Sequence, residues 1–312
     1  MTGGPGHDLV LGIDIGGTKT AVAAVDRDGR TYATRVAPTP AAEGAAAILE
    51  VAARLADEVR HDVGGSVSAA GVGAPGVVDA RRGVVVSATD LLRGWAGTPI
   101  VDLLSQRLCL PVAVDNDVRA AGLGEARYGA GRTAGFAVVV AVGTGIGAAV
   151  IREGVLLPGS CGVAGHLGHI PVPGTGDDLC SCGRSDHLEA AAAGPAILRA
   201  AHRAGLAATT TIEVMALAET DPQAAAVVTN AATVLGRALG GVVNLLDPDA
   251  IVVGGGVAEA GGVWWRPLRA AFDAELLPPA APALVPATLG TQAGVIGAAT
   301  MARDLVNGRN PR

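Results

Sequence analysis

The sequence predicts an α/β protein in which one structural unit occurs twice. In the first unit, the buried strand 9–15 runs into a Gly-Gly-Thr-Lys turn and a second strand, 21–26. The segment 136–151 repeats this order of strand, Gly/Thr turn and strand. Ala-rich segments with helical periodicity lie between short apolar runs, which is typical of helices that cover sheets. The pattern predicts a duplicated α/β fold with a phosphate held between its halves.

Composition and charge favour an aliphatic core and disfavour a nucleic-acid-binding protein. Half of the 312 residues are hydrophobic but only 2% are aromatic, so we expect a core of Ala, Val, Leu and Ile. The net charge of −6 contrasts with the basic surface usual in nucleic-acid binders. No secretory signal and no apolar run of membrane-spanning length is visible, so we expect a cytoplasmic protein without a membrane partner.

The remaining elements follow from periodicity and turn residues. Residues 45–60 have the spacing of an amphipathic helix, and 67–72 predict a strand that ends in a Gly-Ala-Pro-Gly turn closing at Gly76. Such a turn can line a pocket with backbone groups, or it can be only a turn. Further elements are expected at strand 84–86, helix 100–108, helix 187–204, helix 224–246, strand 250–253 and helix 294–305.

The turn after the first strand has the residues of an anion-binding loop. Gly16 and Gly17 let backbone N–H groups approach an anion closely, and Thr18 and Lys19 can add a hydroxyl and an ammonium donor. It is not a P-loop, because a strand follows it instead of a helix. Asp14 could hold Mg²⁺ through water, which favours a phosphate site over an ordinary Gly-rich hairpin.

Two further glycine-rich turns follow buried strands. A single turn of this kind is a weak indication of nucleotide binding, whereas several in one chain are a better one. The residues concerned are Gly143, Thr144 and Gly145 after strand 136–142, and Gly254, Gly255 and Gly256 after strand 250–253.

Residues 112–125 carry the candidate catalytic carboxylate. An apolar strand ends in Asp115-Asn116-Asp117, and an Ala-rich helix follows, so Asp117 falls where an N-cap is expected. A carboxylate at the carboxyl end of a strand lies where α/β proteins bind ligands, and it could take a proton from a substrate hydroxyl. The alternative is that Asp117 only caps the helix.

Two histidines and two cysteines predict a zinc site. His169, Cys180, Cys182 and His187 supply two imidazoles and two thiolates, which suit tetrahedral Zn²⁺. In a cytoplasmic chain a Cys-x-Cys pair favours a metal over a disulfide. A structural zinc fits the loop 171–179, which has little apolar content. The alternative is two unliganded thiols beside unrelated histidines.

Taken together, these segments resemble the ROK family of sugar kinases and related repressors over nearly the whole chain. Residues 14–19 and 143–147 resemble the family's two phosphate motifs, and 246–257 resembles its adenosine motif. Asn116-Asp117 matches the pair that binds the sugar and supplies the catalytic base. The Gly-His pair ending at His169 and the Cys-x-Cys-Gly segment match the zinc motif.

The resemblance implies a two-domain actin-like/hexokinase ATPase fold with ribonuclease H-like domains and a cleft between them. We expect a smaller domain of 1–116 plus 295–312 and a larger domain of 117–294. ATP and Mg²⁺ are expected in the cleft, with Asp117 accepting the proton of a sugar's primary hydroxyl. Relatives are commonly homodimers or dimers of dimers. The implied sugar-binding residues are Gly76, Asp90, Asn116, Asp117, His166, His169 and Glu189.

Three positions depart from the family pattern. His166 stands where the family has Glu, Asp90 where it has Asn, and His187 where the last zinc ligand is Cys. Imidazole is a good zinc ligand, so the third change is tolerable. The first two favour a modified substrate, such as kanosamine or another amino sugar paired to Asp90, or a C7-cyclitol. The alternative is that the two residues compensate each other and glucose still binds.

A sugar-sensing repressor and a non-catalytic sugar-binding module are rival functions. Repressors of the family carry a helix-turn-helix domain ahead of the first phosphate motif, whereas 13 residues precede Asp14 here. The presence of Asp117 and of all three glycine turns favours catalysis. We therefore expect an ATP-dependent, glucokinase-like sugar kinase with a structural Zn²⁺.

Overall fold

The computed structural model describes residues 8–64, 67–89, 91–173 and 178–309. Its strands are β1 (Leu9–Ile15), β2 (Lys19–Val25), β3 (Thr31–Pro38), β4 (Val67–Ala74), β5 (Val77–Asp79), β6 (Val84–Ser87), β7 (Val112–Asn116), β8 (Phe136–Val142), β9 (Ile146–Arg152), β10 (Val155–Leu156), β11 (Ala250–Gly254) and β12 (Ala283–Pro286). Its α-helices are α1 (Ala45–Asp62), α2 (Ile100–Leu108), α3 (Asp117–Tyr128), α4 (Leu188–Ala192), α5 (Gly194–Arg203), α6 (Thr211–Leu217), α7 (Pro222–Leu246), α8 (Gly262–Glu275) and α9 (Ala293–Val306).

Two five-stranded sheets in this described part of the chain share one topology. Their strand orders are β3-β2-β1-β4-β7 and β10-β9-β8-β11-β12. In the first sheet β1, β4 and β7 run parallel, and β2 pairs antiparallel with both β1 and β3. In the second, β8, β11 and β12 run parallel, and β10 pairs antiparallel with β9. The repetition confirms the duplicated α/β fold predicted from the two strand–turn–strand segments.

Helix α9 packs on the first sheet at positions that have no side chain. A Cβ on Gly12 of β1 or on Gly71 of β4 would overlap a backbone carbonyl of α9. Helix α3 meets α9 in the same way, because a Cβ on Gly297 would overlap the carbonyl of Ala120. Small residues thus let these backbones approach closely and bury an aliphatic core.

The chain divides into two compact units. The first comprises Met1–Arg132, Ala149–Ala164 and Thr291–Arg312, and the second comprises Thr133–Ala148 and Gly165–Gly290. The first unit includes α3, which packs on α9, whereas the larger domain expected from the sequence starts at Asp117. The domain boundaries expected from the sequence stay a prediction.

The core of the second unit is built around α7. Its buried positions include Val228, Leu235 and Leu239, which share one cluster with Trp264 and Phe272 of α8. Part of α7 has a mean hydropathy of 1.4, so the helix is long and apolar enough to cross a membrane by length and composition. The sequence alone predicted no apolar segment of membrane-spanning length. A core helix meets the same criteria, and packing on α8 accounts for the buried apolar positions of α7.

Most elements predicted from periodicity are confirmed, and helix 100–108 and strand 136–142 have the predicted bounds. The single helix predicted over 187–204 is wrong, because α4 and α5 are separated at Ala193, whose backbone is extended (φ −73°, ψ 162°). Pro195 in the first turn favours a new helix start there. The N–H of Gly194 donates to the carbonyl of Gly143 at 2.8 Å, so the break ties α5 to a predicted phosphate turn.

Candidate active site and metal centre

Asn116 and Asp117 stand where β7 ends and α3 begins. Asn116 caps the helix, because its Oδ1 accepts the backbone N–H of Arg119 at 3.1 Å. Asp117 is the first helical residue, and its Oδ1 accepts the backbone N–H of Val118 at 2.9 Å and the side-chain amide of Asn116 at 2.8 Å. The N-cap position expected for Asp117 is therefore wrong by one residue. The alternative that Asp117 serves only as the cap loses its basis.

Asp14 and Asp117 lie on either side of Gly73 in the first unit. A Cβ on Gly73 would lie 3.3 Å from the Cα of Asp117 and 3.7 Å from Oδ1 of Asp14, so the glycine leaves space there. Burial, and then the charge of Asp117, raise the pKa of Asp14 to about 6, against the lowering effect of Lys19. Burial also raises the pKa of Asp117, against its hydrogen bonds. This pair suits a proton acceptor beside a bound cation.

The turn between β1 and β2 presents polar groups next to Asp14. The N–H of Gly16 donates to the carbonyl of Lys19 at 2.9 Å, which closes a tight turn. Thr18 and Lys19 are exposed at its tip. A Cβ on Gly17 would lie 2.7 Å from the end of the Leu91 side chain, which would have to shift for a larger residue. The predicted donor groups thus lie in one tight turn beside Asp14. Phosphate binding by this turn stays a prediction.

Two side chains fix the Pro-Gly turn after β4. Asn116 donates its amide to the carbonyl of Gly76 at 3.0 Å, and the indole N–H of Trp95 donates to the carbonyl of Pro75 at 3.0 Å. Trp95 is fully buried, and its role in this turn was not predicted from the sequence, although it is one of only three tryptophans. Asp90, another predicted sugar contact, lies outside the described residues.

The other two glycine turns lie at the carboxyl ends of β8 and β11, which are parallel neighbours in the second sheet. The N–H of Gly143 donates to the carbonyl of Gly145 at 2.9 Å. Gly255 has a φ of 91°, and a Cβ there would overlap the backbone of Val142, so only glycine fits. The predicted nucleotide contacts gathered here are Gly143, Thr144, Gly145, Gly254, Gly255 and Gly256.

The four predicted zinc ligands come together in the second unit. The ligand atoms of His169, Cys180, Cys182 and His187 lie within 4.8 Å of one another. Nδ1 of His169 lies 3.3 Å from Sγ of Cys180, and Nδ1 of His187 lies 3.2 Å from Sγ of Cys182. Zinc bonds of about 2.0–2.3 Å separate tetrahedral ligands by about 3.5 Å, so these residues fit the ion. Burial raises the pKa of the Cys180 thiol to about 11, and a bound cation would deprotonate it.

Glu189 and His166 border the metal centre. Oε2 of Glu189 accepts the N–H of Ile146 at 3.1 Å, and its Oε1 accepts a hydrogen bond from Sγ of Cys180 at 3.4 Å. Glu189 thus joins the candidate metal loop to the second predicted phosphate turn, a contact that no pattern in the sequence indicated. The ring of His166 stacks on that of His169, with centroids 6.2 Å apart. The sugar contacts expected of Glu189 and His166 stay predictions.

Duplicated sheets with glycine turns at their strand ends, and a partly buried carboxylate pair in the first unit, are typical of nucleotide-dependent kinases of the actin-like/hexokinase ATPase fold. The model of the ROK family matches residues 10–305, and the chain belongs to this family. The family predicted from the sequence motifs is thereby confirmed.

Relatives of known structure and activity agree with this assignment. The chain is 33% identical over 317 residues to a glucokinase of Halalkalibacterium halodurans, covering 95% of this chain and 96% of the relative. A ROK hexokinase from Thermus thermophilus has a TM-score of 0.87 and 36% identity over 96% of this chain and 99% of that one. The structure of a ROK glucokinase from Streptomyces griseus in complex with glucose and AMPPNP has a TM-score of 0.82. It is 34% identical to this protein, and the match covers 95% of this chain and 99% of that one. The protein is an ATP-dependent, glucokinase-like sugar kinase.

Proposed function

We propose that this kinase transfers the γ-phosphate of ATP to the 6-hydroxyl of glucose, with Asp117 as the general base. The placement of Asp117 is the main support. The carboxylate follows the end of β7, does not cap α3, and is held by Asn116 and Val118. The similarity to a glucokinase that binds glucose and AMPPNP supports the choice of both substrates.

In the proposed reaction Asp117 accepts the proton of the sugar hydroxyl. The oxygen then forms a bond to the γ-phosphorus as the bond between that phosphorus and ADP breaks. Burial raises the pKa of Asp117, which makes it a stronger base than a solvated carboxylate. Backbone N–H groups of the glycine turns and the Lys19 ammonium would bind the phosphates. Positioning and charge stabilisation supply most of the catalysis in phosphoryl transfer.

Two metal ions complete the proposal. Asp14 would hold Mg²⁺ through water, and the ion neutralises phosphate charge when bound. His169, Cys180, Cys182 and His187 would hold a structural Zn²⁺ that orients His169 toward the sugar. Both sets of residues have the donor chemistry for these ions. The remaining proposed sugar contacts are Gly76, Asn116, His166 and Glu189.

An amino sugar is the second candidate substrate. The family pattern implies an amide at position 90 and a carboxylate at position 166, where this chain has Asp90 and His166. A carboxylate at position 90 would pair with an ammonium group at C2 or C3 of the sugar, as in kanosamine. A C7-cyclitol with a hydroxymethyl group is a further candidate. Glucose stays the first choice because two relatives that are 33% identical over 95% of this chain are glucokinases, whereas N-acetylmannosamine kinases match at 31%.

ADP release with MgATP should be measured on glucose, mannose, glucosamine, N-acetylglucosamine, N-acetylmannosamine and kanosamine. The proposal expects the highest kcat/KM on glucose. A strong preference for an amino sugar would make Asp90 the specificity residue, and Asp90→Asn should then abolish that preference. Turnover on none of these sugars would contradict the proposed function.

The role of Asp117 is tested with Asp117→Asn, which keeps the shape of the side chain but removes the base. We expect kcat to fall by about 100- to 10,000-fold. Glucose and ATP affinities, measured by calorimetry, should change little by comparison. A variant that keeps most of its kcat would exclude Asp117 as the general base.

A further inference from the structure

Arg119, in the first turn of α3, is a buried cation whose partners all lie in the first unit. Its side chain is only 2% exposed. Nε and Nη2 donate to the two carboxylate oxygens of Asp115 at 2.7 and 3.1 Å. Nη1 donates to the carbonyl of Ala164 at 2.8 Å and to that of Leu157 at 3.1 Å, with the carbonyl of Pro158 at 3.5 Å. One guanidinium therefore joins a strand end to the segment 157–164.

Each end of this network adjoins predicted site residues. Asp115 lies in β7 directly before Asn116 and Asp117, and its Oδ1 also accepts the backbone N–H of Asn116 at 2.7 Å. The segment 157–164 continues along the chain into Gly165 and His166. Arg119 thus fixes the backbone before the proposed base relative to the backbone that leads to the proposed sugar contact.

Stability alone does not explain a buried ion pair of this kind. Burying two charges has a desolvation penalty that their attraction often fails to offset, and apolar replacements of similar volume are often as stable. The planar guanidinium instead supplies fixed directions, with two donors on a carboxylate and a third on backbone carbonyls. Lysine would keep the charge, but its single ammonium group could not bind the Asp115 carboxylate and the carbonyls of the segment 157–164 in this geometry.

We propose that Arg119 is a positioning residue for phosphoryl transfer, which locks the N-terminal turn of α3, and with it Asp117, to the segment 157–164. The inference rests on the proposed function of Asp117. A small misplacement of a catalytic group lowers the rate of the chemical step strongly, even when substrate binding is kept. The nucleotide turns at 143–145 and 254–256 are not part of this network.

Arg127 provides a matched control on the same helix. Its Nε donates to the carbonyl of Gly154 at 2.7 Å, and its Nη2 donates to Oδ2 of Asp304 at 2.8 Å. It therefore also joins α3 to a carboxylate and to a turn near the segment 157–164, but at the far end of the helix from Asp117. Arg119→Lys and Arg127→Lys should be compared with the wild type for kcat, both KM values and thermal stability.

We expect kcat of Arg119→Lys to fall by about tenfold or more, with KM for MgATP nearly unchanged. Arg127→Lys should keep kcat within about twofold of the wild type while also losing thermal stability, because its ion pair with Asp304 is partly buried. Asp115→Asn, which breaks the same network from its other partner, should reproduce the loss of kcat. Adding it to Arg119→Lys should lower kcat little further, because both changes remove one interaction.

Equal kcat in the two lysine variants would show that Arg119 is only structural and would overturn the inference. Asp115→Asn keeps the test decisive if Arg119→Lys does not fold, since normal kcat in that variant would also overturn it. Both outcomes leave the proposed function intact, provided the wild type phosphorylates a sugar. A wild type that phosphorylates none of the sugars overturns the proposed function, and this inference with it.

Discussion

Burial and the charge of the neighbouring Asp117 raise the pKa of Asp14 to about 6, from 3.8 for a solvated carboxyl group. Between these two values the folded protein binds more protons at Asp14 than the unfolded chain does. The contribution of Asp14 to the free energy of unfolding therefore falls as pH rises from about 4 to 6, and the full penalty is present above pH 6.

Asp14→Asn should remove this penalty. Relative to the wild type, we expect the variant to gain little stability at pH 4 and up to about 3 kcal/mol at pH 7. Urea unfolding at several pH values, without Mg²⁺ or nucleotide, measures the difference. The same variant should lose kinase activity if Asp14 holds Mg²⁺. A stability difference that does not change with pH would contradict the raised pKa.

At the residue scale, the sequence indicated where candidate site groups lie but not the structural role of each. It selected Asn116 and Asp117 but assigned the helix cap to the wrong one, because the two residues differ by a single position at a strand–helix junction. It missed Arg119, although an arginine two positions after Asp117 in an Ala-rich helix was visible. Its burial depends on Leu157 and Ala164, which are distant in the sequence, so local pattern could not show it.

Among the elements, α9 depends on its glycines for packing. Gly297 lies against Ala120 and Gly124 of α3, so Gly297→Ala should push the two helices apart and lower the free energy of unfolding by about 1–3 kcal/mol. Gly241→Ala in α7 is the control, because that helical glycine is exposed and nothing lies within 4 Å of an added Cβ.

The control should gain up to about 1 kcal/mol, since alanine is the better helix former. Chemical denaturation of both variants gives the comparison. A gain in stability for Gly297→Ala would contradict the close packing of α3 on α9.

Periodicity predicted most helices correctly but merged α4 and α5. The break at Ala193 follows from a hydrogen bond to the distant Gly143 as well as from the local Pro195.

For the molecule as a whole, the metal centre should contribute to stability as well as to the site. We expect about one Zn²⁺ per chain, with Cys182→Ser losing it and unfolding at a lower temperature. His187→Cys should keep the ion, because thiolate is an equally good ligand. Elemental analysis and thermal unfolding before and after chelation check both statements. A chain that is purified without zinc and is unaffected by chelation would contradict the site.

The duplicated topology could be predicted from the sequence because the same local pattern occurs in both halves of the chain. Two strand–turn–strand segments and three glycine turns at strand ends sufficed for the α/β framework, and nucleotide binding by those turns stays a prediction. Contacts between distant segments could not be predicted in this way. Glu189 bonding to Ile146, and Trp95 to Pro75, join residues whose separation along the chain carries no periodic signature.

The bond between Trp95 and the Pro-Gly turn has an optical consequence. Trp95, Trp264 and Trp265 are the three tryptophans of the chain, and the latter two are adjacent in α8. Replacing both with phenylalanine would leave Trp95 as the single tryptophan, which can be excited selectively over the two tyrosines and whose indole N–H donates to the carbonyl of Pro75. The emission of that variant would follow any movement of this turn when a sugar is added, without a coupled assay or an attached dye.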